Sequence, residues 1–156
     1  MLTDQLKETI QTAYTTLLES KGLKARYGQR LMIADVARTL AAKADQTETP
    51  VCVVEAGTGT GKTIAYTVAA VPVAQAMEKT LVISTATVAL QEQIVYKDLP
   101  DILRHSGLSF NFALAKGRGR YLCLSKLDSV LQDSAANNDT MGCIQTSCRY
   151  KLIPEP

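Results

Sequence analysis

The sequence predicts an α/β protein in which a parallel sheet carries a phosphate-binding loop and is preceded by N-terminal helices. Two short β-branched runs, "VCVVEA" at 51–56 and "TLVISTA" at 80–86, are segments of the kind buried on both faces of a parallel sheet. A helical stretch from Lys62 to about Met77 separates them, and strand, helix, strand is a βαβ unit with a right-handed crossover. Between the first run and that helix lies "EAGTGTGKT", Glu55 to Thr63, a glycine-rich loop at a strand-to-helix junction.

The elements follow in order. From Thr3 to Ser20, Leu6, Ile10, Tyr14, Leu17 and Leu18 recur at helical spacing, with Thr3 or Asp4 as a cap and Gly22 as a stop. A second helical pattern runs from about Gln29 to Ala42, with Met32, Ile33, Val36, Ala37 and Leu40 on one side, and the polar "KADQTETP" ends it. After the glycine loop and its helix come the run at 80–86, a helix over Val88 to Lys97, and a third expected strand, "FNFALA", at 110–115. From Ser134 onward periodicity is lost and small and polar residues gather. There are no internal repeats.

Composition bounds the function only loosely. With 156 residues, 46% hydrophobic and 21% charged, the chain has the profile of an ordinary globular domain with a sizeable core. A net charge of +2 does not mark the whole chain as a polyanion binder, so contact with nucleic acid falls to local clusters of Lys and Arg. The longest apolar run, Ile64 to Met77, is shorter than the roughly 20 residues of a membrane span. It is interrupted by Thr67, Pro72 and Gln75 and reads as a buried helix. The N-terminus lacks the basic and apolar regions of a secretory signal, so the expected location is the cytoplasm, with no membrane partner.

A phosphate cradle needs backbone N–H groups free to turn inward, a cation for the outer phosphates, and a hydroxyl for magnesium. Gly57, Gly59 and Gly61 supply the permissive backbone, together with Ala56, Thr58 and Thr60; Lys62 supplies the cation and Thr63 the hydroxyl. The helix that starts here adds its positive end. Alanine at position 56 replaces the usual first glycine, and its side chain is small enough to fit. The expected ligands are ATP and Mg2+. A dinucleotide-binding loop would not need "GKT" at the helix start, and a small P-loop kinase would usually open on the loop's own strand, whereas here two helical segments come first.

Four ordered stretches, "RYGQRLMIADVA", "EAGTGTGKT", "STATVALQEQI" and "KGRGRYLC", closely resemble the N-terminal part of the DinG-type helicases, which are XPD-like superfamily 2 DNA helicases. The resemblance covers roughly residues 1 to 133. It implies an ATP-driven motor moving 5′ to 3′ on single-stranded DNA, with two RecA-like domains and an iron–sulfur domain inserted in the first. On this reading residues 1–45 are N-terminal helices with an adenine-recognition motif, 46–133 part of a RecA-like ATP-binding domain, and 134–156 a linker or a truncated iron–sulfur-type segment.

The amide of Gln29 can donate and accept at once, the pairing that reads an adenine edge, and the resemblance places Arg26 and Gln29 near the base. The alternative is a polar first turn of a helix. Hydroxyls at the end of an expected strand present donors to a DNA backbone; by resemblance the candidates are Thr85, Thr87 and Gln91, the alternative being that Thr87 caps a helix. Lys116, Arg118 and Arg120 form a basic cluster beside Tyr121, of which Arg118 and Arg120 are candidate DNA contacts; a solvated basic loop has the same composition.

Cys123 matches the family's first iron–sulfur ligand, and Cys143 and Cys148 resemble the second and third. A cubane cluster wants four thiolates, no cysteine follows Cys148, and the gap from Cys123 to Cys143 is short for the family. A complete 4Fe–4S cluster is therefore not expected from this chain alone. Cys52 reads as a small hydrophobe, and His105, the single histidine, is assigned no chemistry beyond satisfying carbonyls at a helix end. No "DEAH"-like acidic pair follows a later apolar strand, so no complete catalytic set is present. Losing a general base costs about 10²- to 10⁴-fold in rate, and an absent arginine finger about 10³- to 10⁵-fold. The expectation is an N-terminal piece of a helicase that binds ATP weakly and turns it over negligibly. The competing readings are a non-catalytic nucleotide-binding or interaction module and, third, a small P-loop kinase.

Overall fold

The computed structural model describes residues 2–42 and 49–136. By its internal contacts the chain divides into two units, 1–114 and 115–156.

In the first unit, α1 (Asp4–Ser20) starts where the Thr3 hydroxyl accepts from the Leu6 N–H, with Asp4 in the first turn, which is the capping chemistry expected of threonine. Its buried positions, Ile10, Ala13, Tyr14, Leu17 and Leu18, follow the 3.6-residue period. Gly22, at φ 60°, ends it: Gly22 N–H donates to Glu19 O and Leu23 N–H to Leu18 O, the paired bonds of a Schellman turn. Helix α2 (Tyr27–Leu40) buries Gln29, Ile33 and Ala37.

Helix α3 (Lys62–Ala76) lies at the centre and packs on both α1 and α2. Ala65 and the whole stretch from Thr67 to Val73 are buried, so this helix is apolar nearly all round, as a core helix must be. Pro72 sits inside it. One core cluster joins Ile10, Tyr14, Leu17, Ile33, Ala37, Val68, Val73 and Ile102, with Leu108 and Phe110 packed at its edge.

Beyond the expected helix at Val88, the chain stays helical much further than Lys97. Helix α4 (Val88–Gln93) runs through a π turn, Ile94–Asp98, into α5 (Leu99–His105). The wide turn has a local cause. Pro100 carries no N–H and its ring crowds the carbonyl four residues back; an i→i+5 bond from Leu99 N–H to Ile94 O relieves that crowding just ahead of it. The end of α5 meets the end of α1 through a Lys21–Asp101 ion pair and a 2.7 Å contact between Ser20 Oγ and His105 Nδ1. His105 therefore serves a tertiary contact and not the helix-end carbonyls.

The expected parallel sheet is overturned, and with it the partial RecA-like α/β fold. Among the described residues there is no strand, and segments 51–56, 80–86 and 110–115 are irregular. β-Branched composition measures fit to a pleated, covered surface and not an autonomous backbone preference. The first two runs are expected to be covered on both faces, yet exposed and half-buried residues alternate along them: Val51 is 77% exposed, Val53 90% and Val82 82%, while Cys52, Val54 and Ile83 are half-buried. In the third run Asn111, Phe112 and Ala113 are all exposed, and no ladder covers the exposed side of any of the three. Among the described residues, no helix is long and apolar enough to cross a membrane.

In the second unit, a 3-10 turn at Arg118–Arg120 leads to α6 (Leu124–Ala136), which opens with a bond from Leu127 N–H to Cys123 O. The spacing of Leu124, Leu127 and Leu131 carried that helix, though no helix is expected there from the motifs.

Candidate nucleotide-binding loop

The glycine loop ends where α3 begins. Gly59 and Gly61 both sit at φ 76°, a left-handed backbone that glycine adopts without strain. Gly61 is the N-cap of α3, Lys62 its first residue and Thr63 its second. The helix therefore directs its unpaired first N–H groups and its positive end at the loop, which is the arrangement an anion requires.

The loop is tied together internally. Lys62 Nζ donates to the carbonyls of Ala56 and Gly57, both at 2.8 Å, and Thr60 Oγ1 donates to Gly57 O at 2.8 Å. Tyr66 lies one turn along α3 from Thr63. Burial of Tyr66 pushes its phenol above the ordinary value, the neighbouring Thr63 side chain works against that rise, and the charge of Asp98 adds to it. Tyr66 is thus neutral around pH 7.

Helix α2 delivers both expected base-side residues to the same loop, but to its backbone. Arg26 Nη1 donates to Gly59 O at 2.6 Å and Gln29 Nε2 to Gly61 O at 3.4 Å. Gln29 is only 8% exposed, and its Oε1 accepts from the Tyr14 hydroxyl at 2.9 Å. Tyr14 is the residue the motifs did not point to, since it reads as one more member of the α1 apolar stripe. The available signal was chemical: a buried phenol needs a partner for its oxygen.

The other expected residues lie on later segments of the first unit or in the second. Thr87 caps α4, its hydroxyl accepting from Leu90 N–H at 3.3 Å, and Thr85 Oγ1 donates to Thr87 O at 3.2 Å; Gln91 lies one turn into α4. In the second unit, Arg118 and Arg120 bound the 3-10 turn, with Arg120 N–H donating to Gly117 O. Lys116 N–H donates to the Tyr121 hydroxyl at 2.8 Å. Cys123 is an exposed free thiol. Among the described residues no cluster of His, Cys, Asp and Glu could hold a metal ion, and Cys143 and Cys148 lie outside them. A cavity of about 880 Å³ between α1 and α2 is lined by Ile10, Tyr14, Leu18, Ile33 and Ala37 and edged by Arg30. No residue of the glycine loop lines it, so it is a separate feature.

No family model matches the chain. It is similar to proteins named ATP-dependent DNA helicase DinG: 44% identical over 140 residues to that of Photobacterium profundum, 42% over 141 residues to that of Salmonella typhimurium, and 41% over 141 residues to that of Escherichia coli. The matches cover 89–90% of this chain and 19–20% of each relative. The chain thus spans about a fifth of the length of the curated relatives it matches.

Proposed function

This chain is a homologue of the DinG ATP-dependent DNA helicases over about nine tenths of its length, and on that premise we propose that it forms the nucleotide-binding part of such a motor. The observation that carries the reading is the junction at Gly61: a left-handed glycine caps α3, with Lys62 and Thr63 in its first turn and Arg26 and Gln29 reaching the loop from α2. On this reading the backbone from Gly57 to Gly61 cradles the phosphates and Lys62 binds the outer ones. The carbonyls that hold Lys62 are neutral, so a polyphosphate wins the ammonium on charge. The Thr63 hydroxyl holds magnesium, which would neutralise charge on the phosphates. Arg26 and Gln29 border the base.

Thr85, Thr87, Gln91, Arg118 and Arg120 are the proposed contacts to the sugar–phosphate backbone of single-stranded DNA, with translocation 5′ to 3′ in the cytoplasm. Because the sequence holds no Asp-Glu pair after a later apolar run, binding without efficient hydrolysis is the activity proposed for these residues alone.

Magnesium-dependent binding of a fluorescent ATP analogue, read by anisotropy, tests the loop. The wild-type chain is expected to bind and Lys62→Ala to lose binding; a wild-type chain that ignores the nucleotide overturns the reading. The motor assignment has its own test in a protein of DinG length carrying this sequence. ATPase activity there should rise on adding single-stranded DNA, and a rate indifferent to DNA rejects it.

A further inference from the structure

The nucleotide reading leaves α1 with nothing but packing to do, yet α1 places one polar atom behind the loop. Tyr14 is buried, and its hydroxyl lies 2.9 Å from Gln29 Oε1 and 3.4 Å from the backbone N of Arg26. Gln29 Nε2 in turn lies 3.4 Å from Gly61 O. The two ends of this chain are one-way groups: a backbone N–H only donates and a carbonyl oxygen only accepts. The phenol oxygen must therefore accept from Arg26 and give its own proton to Gln29. The amide must then present its oxygen to Tyr14 and its NH2 to Gly61. Its orientation follows from its neighbours and is not an arbitrary flip.

We propose that Tyr14 is a positioning residue of the nucleotide site, locking the Gln29 amide so that Nε2 holds the Gly61 carbonyl and fixes the left-handed turn that opens α3. The inference rests on the nucleotide reading of the loop. It is supported by a second fact of geometry: a Cβ on Gly61 would overlap Gln29 Nε2, so the amide is seated directly on the glycine and not merely near it. A buried polar chain with each member satisfied is rigid, and removing one member leaves another unpaired. The Tyr14 ring belongs to the core cluster, so Tyr14→Phe keeps the packing and removes only the oxygen.

The test is a binding cycle on the full chain with Mg–ATP, comparing wild type, Tyr14→Phe, Gln29→Met and the double variant, with melting curves recorded without nucleotide. Each single change is expected to weaken binding by about three- to tenfold, the scale of one buried hydrogen bond. The double variant is expected to bind no more weakly than Gln29→Met, because Tyr14 acts through Gln29. Gln29→Glu keeps an acceptor for Tyr14 but has no N–H for Gly61, and should bind at least as weakly as Gln29→Met. A purely structural tyrosine would lower the melting temperature without this non-additivity. Unchanged binding by Tyr14→Phe, or effects that add, would overturn the proposal while leaving the nucleotide reading intact; failure of the wild type to bind would remove both.

Discussion

Gly61 answers to two constraints that can be measured apart. Its φ of 76° costs an alanine roughly 1–2 kcal/mol, and its missing Cβ makes room for Gln29 Nε2. Gly59 has the same φ and open space where a Cβ would sit. Gly59→Ala should therefore destabilise by the backbone cost alone, and Gly61→Ala by about 1 kcal/mol more, for the displaced amide bond. Denaturant unfolding of the two variants gives the difference, and it should vanish when both are remeasured in a Gln29→Ala background; equal losses at both glycines with Gln29 present would mean that Gln29 does not bear on the loop. At this scale much of the site was legible, because "GKT" in register with three glycines dictates a chemistry. That the Tyr14 phenol needs a partner was legible, but which partners it has was not, since they lie 12 and 15 residues away in sequence and meet it only through the packing of α1 on the rest of the unit.

Helices were legible where their period and their caps agreed, as in α1 with Thr3 and Gly22. The expected strands failed because a strand is a property of a pair, and a β-branched run by itself says nothing about whether a ladder forms beside it. Helix ends also hide substitutions that sequence reading passes over. Helix α3 closes with the same paired bonds as α1, Glu78 N–H to Gln75 O and Lys79 N–H to Ala74 O, but the left-handed position held by Gly22 in α1 is held here by Glu78, at φ 52°. A side chain in that conformation carries a steric cost that glycine avoids. Glu78→Gly should stabilise the chain by about 1 kcal/mol, a rise of about 2–4 °C in Tm for a chain of this size. A calorimetric scan without nucleotide checks it, and a lowered Tm would show that Glu78 makes a contact worth more than the strain.

For the molecule as a whole, the position of the core decides which part of the chain can stand alone. Every member of the core cluster, including its partly buried edge, lies between Leu2 and Phe110, inside the unit that ends at Leu114. The glycine loop, Arg26, Gln29 and Tyr14 are in the same unit. In the other unit, Leu122 and Leu124 are 62% and 70% exposed. Stability comes chiefly from buried apolar area, so cutting the chain after Leu114 should remove little of it. The shortened chain is expected to keep a single cooperative thermal transition, read by circular dichroism at 222 nm, and to bind Mg–ATP with the affinity of the full chain. The basic cluster at Lys116, Arg118 and Arg120 would be gone, so any affinity for single-stranded DNA should fall while nucleotide affinity holds. Loss of the cooperative transition would mean that the core depends on residues after Leu114. Parallel loss of both affinities from a still-folded chain would instead place part of the nucleotide site there, against the division of labour argued for the two units.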